Sequence, residues 1–222
     1  MDERLLRKPG VLAWAFYDWA NSAFAVTVMA GFFPLFFKQY WSAEVVATES
    51  TFRLGLANSL ASILVVCLAP LLGALADQAG ARKRFLLFFA LMGIVMSGSL
   101  PLVAEGQWAL ALVLYGLALL GFTGGNIFYD ALLVNVTEER HFDLVSAYGY
   151  AFGYLGGGLL FGLNVVMVLK PDLFGLAGSA EAVKLSFFCV SLWWGLFSLP
   201  LLIWVREPPA IGSRSDWVGA GF

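Results

Sequence analysis

Charge is scarce in this 222-residue chain: 13% of its residues are Asp, Glu, Lys or Arg, and 60% are hydrophobic. Ordinary soluble domains carry about twice that share of charge, so this chain cannot cover its apolar surface in water. Histidine occurs once, at His141, and cysteine twice, at Cys67 and Cys189. A lone loop histidine leaves no HExxH pair, no Ser/His/Asp set and no Cys/His set, and an enzyme is therefore not expected. Both cysteines fall inside apolar runs, where they read as small packing residues, so neither a metal nor a cofactor is expected. No GxGxxG follows a strand and no P-loop lysine occurs, which excludes nucleotide binding. The formal net charge of -2 offers no basic field for nucleic acid.

What the chain does have is long apolar runs. Six of them, at 11–37, 54–76, 85–104, 108–136, 144–169 and 183–205, are long enough to cross a bilayer as helices. Backbone groups in hydrocarbon must be satisfied within the segment, and the runs lack the alternation of a transmembrane β-strand. The expected fold is an all-α membrane protein, with residues 1–206 as a six-helix bundle and 207–222 as a short polar tail. The first run is too long for a secretory signal core and carries Asp18.

Basic residues set the orientation. With the N-terminus inside, the cytoplasmic segments hold Arg4, Arg7, Lys8, Arg82, Lys83, Arg84, Arg140, Arg206 and Arg214, and the outer segments hold only Lys38, Arg53, Lys170 and Lys184. That asymmetry predicts cytoplasmic termini and residence in the cell membrane. Tyr40, Trp41, Trp108 and Trp204 stand near span ends, where amphipathic rings favour the headgroup region.

An acid deep in a bilayer costs ~2.5–3.5 kcal/mol or more, which makes such a residue a functional candidate. Asp18 lies about 10 Å into the first span, with Asn21 and Ser22 following on the same face. Asp130 lies about 9 Å from the inner end of the fourth span, with Asn126 one turn before it. These five residues are expected to line one polar pathway for a small solute, with a proton as a coupling ion. Gly149, Gly153 and Gly157 recur every fourth residue, and Gly158 and Gly162 form a second pair, so the fifth span should bring backbones into close contact. Asp77 stands at the end of the second span, before Gly80, Arg82 and Lys83, an arrangement that suits a charge-assisted latch. Gly73, one turn earlier, is expected to let another helix approach.

The segment from Gly73 to Arg84 resembles the loop signature between the second and third helices of the major facilitator superfamily. Gly73, Asp77, Gly80, Arg82 and Lys83 match, and Gln78 replaces the usual base. Within that superfamily, Phe16-Tyr17-Asp18-Trp19-Ala20-Asn21-Ser22-Ala23-Phe24 resembles the first helix of the vacuole-effluxer-like transporters, relatives of an autophagy-linked amino-acid exporter of the fungal vacuole. Phe128-Tyr129-Asp130 and the stretch from Gly149 to Gly158 resemble that family's fourth and fifth helices. The resemblance implies one half of a twelve-helix secondary transporter for small organic solutes such as amino acids, completed by a C-terminal half or a second copy. The buried arginine of many proton-coupled relatives has no counterpart in the fourth span, and the fifth span lacks the antiporter proline. An oligomeric channel is the rival reading.

Overall fold

A computed structural model describes residues 3–207, apart from the side chains of Leu75, Asp77, Gln78 and Ala79. Among the described residues there is no strand, and six helices are long and apolar enough to cross a membrane. They are α1 (Pro9–Trp41), α2 (Ala47–Ala79), α3 (Arg82–Ser99), α4 (Trp108–Ala131), α5 (Phe142–Leu169) and α6 (Ser179–Trp204). Several run past the expected ends, because hydropathy marks the part of a helix in hydrocarbon while its hydrogen bonds continue through the headgroup layer. The fourth span departs in the other direction. It ends at Ala131, and after a turn at Leu132 a short helix occupies Leu133–Val136. Glu207, the first residue of the expected tail, touches the start of α3.

Helix α1 is the organising element and packs on α5 and α6, while α3 packs on α4 and α6. α2 meets the bundle chiefly along α4. With lipid as solvent, such seams form where small residues admit close backbones and where polar groups find partners. A Cβ at Gly121 would lie 2.5 Å from the Gly93 nitrogen, so α3 and α4 touch backbone to backbone. Large rings fill the wider gaps. Phe33 stacks on Tyr115 with centroids 3.9 Å apart, and Trp194 lies over Gly93, against Phe24 and Phe122.

Two segments of α1, Phe24–Phe32 and Phe37–Trp41, wind as π-helix on either side of a short α-helical stretch containing Pro34. Proline supplies no N–H to the ladder, and wide turns of this kind are frequent at functional sites. The outer end of α1 is pinned: Trp41 Nε1 donates to Val103 O at 3.3 Å, and Lys184 Nζ donates to the Tyr40 hydroxyl at 3.1 Å.

Candidate functional site

The polar face of α1 meets α4 and α5 in two different ways. Asn21, 1% exposed, donates from Nδ2 to Asn126 Oδ1 at 2.5 Å and so ties α1 to α4. One position on, Ser22 Oγ donates to Asp18 Oδ1 at 3.0 Å within α1. That pair faces α5: a Cβ at Gly153 would stand 2.7 Å from Ser22 Oγ and 2.9 Å from Asp18 Cγ. Gly149 faces Trp14 in the same manner, and Gly157 faces the Ser22 carbonyl. The glycine row is thus the wall behind the acid. Gly158 and Gly162 are different, since a Cβ at either would meet nothing within 4 Å.

Asp130 is exposed, whereas Asp18 is half-buried. Asp18 faces α5 from α1, while Asp130 stands one residue before the end of α4. The larger cavities lie elsewhere: a polar one of about 350 Å³ beside Lys8, Thr137 and Arg140, and apolar grooves of about 510 Å³ between α2 and α4 and between α1 and α6.

Three aromatic residues beside the acids, Trp14, Tyr17 and Tyr129, carry no role in the sequence reading. Tyr17 and Tyr129 are buried with ring centroids 5.1 Å apart, and Trp14 stacks on Tyr129 at 4.3 Å. The indole of Trp14 also donates to Tyr129 O at 3.0 Å. A signal was present, because α1 and α4 carry the same triplet, Phe16-Tyr17-Asp18 and Phe128-Tyr129-Asp130. The repeat places a tyrosine beside each acid.

At the end of α2, Gly80 adopts a left-handed φ of 56°, and Ala81 N–H returns to Ala76 O at 2.9 Å. A residue without a side chain closes such a turn without strain. The Asp77 carboxylate, the first half of the expected latch, lies outside the described residues. Of its expected partners, Lys83 donates to Leu202 O at 2.8 Å and Val205 O at 2.7 Å. Its ammonium meets the carbonyls that the end of α6 leaves unpaired. The Glu207 carboxylate answers at the start of α3, accepting from Arg82 N at 2.6 Å and Lys83 N at 3.1 Å. Arg82 Nη1 donates to Ala131 O at 3.0 Å and approaches Asn135 Oδ1 at 3.4 Å. A Cβ at Gly73 would have nothing within 4 Å among the described residues.

The family model for vacuole effluxer Atg22-like proteins matches residues 41–141 and 135–220. The chain is 37% identical over 197 residues to the MFS-type transporter YxiO of Bacillus subtilis (strain 168), covering 88% of this chain and 46% of that protein. It is 28% identical over 167 residues to a protein of Aquifex aeolicus (strain VF5), covering 75% of this chain and 41% of that one. A shorter similarity, 32% over 99 residues, reaches autophagy-related protein 22-1 of Penicillium rubens, covering 40% of this chain and 16% of that protein. No solved structure matches at a significant level. The chain spans about half the length of the first two relatives. With most of its length matched by the family model and by a transporter of this type, the chain belongs to the vacuole effluxer Atg22-like family of multi-pass membrane proteins.

Proposed function

We propose that the chain is the N-terminal half of a secondary active transporter that carries small organic solutes, amino acids among them, with a proton as coupling ion. The observation that carries the reading is the joint between α1 and α4, where Asn21 bonds to Asn126, with Asp18 and Asp130 each about one turn from the pair on its own helix. Acids within apolar helices are costly unless a polar pathway uses them. The relatives' length supports a further set of helices opposite this face, supplied by the rest of a longer chain or by a second copy. The bilayer is the cell membrane and both termini are cytoplasmic, a reading supported by the excess of bases at one end.

Flux of labelled amino acids into proteoliposomes, driven by an imposed proton gradient, tests the reading in the chain joined to its remaining helices. Asp18→Asn and Asp130→Asn should each insert normally and lower flux at least tenfold. Gradient-driven flux that survives both substitutions together would leave the acids with a packing role. A second reading, a homo-oligomer whose symmetry completes a pore, draws on the exposed apolar sides of α2 and α5. Crosslinking in membranes separates the two, because a ring of more than two copies supports the pore alone.

A further inference from the structure

We propose that the broken last turn of α4 is a hinge that positions Asp130, and that Trp14 and Arg82 are the side chains that hold it bent. Its functional meaning rests on the reading of Asp130 as a pathway residue, while its geometry stands on the hydrogen bonds of the turn. An unbroken helix would send Asn135 N–H to Ala131 O, four residues back. Here Asn135 N–H goes to Leu132 O at 2.9 Å, and Leu132 N–H is shared between Phe128 O and Tyr129 O at 3.1 Å each. The break would leave the half-buried Ala131 carbonyl without its helical donor, a condition that costs stability. Arg82 Nη1 fills the gap at 3.0 Å. On the other side, Trp14 Nε1 binds Tyr129 O at 3.0 Å, the carbonyl just before Asp130.

Both residues are fixed from behind. Trp14 is stacked on the Tyr129 ring, and a Cβ at Gly149 would lie 2.4 Å from its Cζ3, so α5 leaves room for the indole only by having no side chain there. Arg82 is anchored through its own N–H to the Glu207 carboxylate at 2.6 Å. A continuous path of contacts therefore runs from the end of α6, through the start of α3, to the turn that carries Asp130. The turn has a second arrangement available. If Arg82 withdraws, Asn135 N–H can return to Ala131 O and the helix can straighten, one hydrogen bond replacing another. Two such discrete arrangements are what a switch element requires. Movement of the loop after α2, or of the chain at Glu207, thereby resets the place of Asp130.

The test is the distance between spin labels at Leu110→Cys and Val134→Cys, both exposed positions flanking the turn, in the chain held in lipid nanodiscs with Cys67 and Cys189 replaced by serine. A second pair at Tyr154→Cys and Leu169→Cys on α5 is the control. Trp14→Phe keeps the stacked ring and loses the donor; Arg82→Gln loses the charged fork. Each should raise the population at the longer distance about two- to tenfold, the worth of one hydrogen bond. Glu207→Gln should act in the same direction and more weakly, and Arg82→Lys should restore the original distribution. Unchanged distances in both Trp14→Phe and Arg82→Gln would overturn the hinge, and so would equal changes in the α5 pair, which would mean general loosening. Should Asp130→Asn leave flux intact while the distances shift as stated, the pathway reading falls and the hinge stands.

Discussion

Helices α1 and α2 are equally long, at 33 residues each, and their surroundings are opposite. Half of the apolar stretch of α1 is buried, against 6% of that of α2, although α2 has the higher mean hydropathy, 2.0 against 1.6. In water the more apolar helix would take the centre. In lipid, hydrocarbon tails match leucine as neighbours, so apolar surface gains little by turning inward. Both helices carry polar residues; those of α1 are turned inward, with Asn21 and Thr27 buried, whereas Ser59 and Ser62 of α2 are exposed. α2 faces outward with Leu56, Leu60, Ile63, Leu64, Val66 and Leu71.

The strongest way to break this comparison is to crowd both regions equally. Gly153→Val pushes side-chain atoms onto Ser22 and Asp18, because even its Cβ would be under 3 Å from both. At Gly73 the Cβ of a valine would meet nothing within 4 Å. The first should cost about 3 kcal/mol, the upper part of the range for overpacking, and the second under ~0.5 kcal/mol. Thermal unfolding in nanodiscs reads both, and equal losses would end the contrast between a packed α1 and a free α2.

A smaller effect sharpens the chemistry of the α1 face. Ser22→Ala removes the hydroxyl that Asp18 accepts at 3.0 Å and leaves the close approach of Gly153 intact. The expected loss is about 1 kcal/mol, the net worth of one hydrogen bond. A loss near zero would mean that water already competes for the carboxylate.

The same contrast explains how much was legible beforehand. Six spans were readable because run length and lack of charge are one-dimensional properties. Asp18, Asn21, Asn126 and Asp130 stood out because polar groups are rare in such runs, and the structure brings Asn21 to Asn126 and leaves Asp130 open. The break after Ala131 was hidden, since hydropathy runs on smoothly to Val136 and neither glycine nor proline marks the turn. Lys83 also binds carbonyls at the end of α6, more than a hundred residues on, a contact that no neighbour in sequence signals. Glu207 was passed over for the same reason. Contacts of that range depend on how helices are arranged, and a hydropathy pattern carries no helix order around the bundle. A small residue such as Gly73 permits close approach and does not by itself name the neighbour.

The smallest expected effect is the one that says whether α2 is truly finished with lipid. Leu71 is 64% exposed on the outer side of the helix. If lipid tails are its neighbours, Leu71→Ala exchanges protein–lipid contacts for lipid–lipid contacts and should change stability by less than ~0.5 kcal/mol. If a second copy or further helices cover that side, truncation opens a cavity in a packed interface and should cost about 2–5 kcal/mol, as in a core. The measurement is therefore made twice, on this chain alone in nanodiscs and on the chain joined to its remaining helices. A small loss in the first and a large one in the second would identify the bare side of α2 as an interface awaiting its partner. Small losses in both would place α2 at the lipid boundary and move the search for the covered face to the exposed side of α5, where Tyr150, Tyr154 and Leu155 stand clear of the bundle.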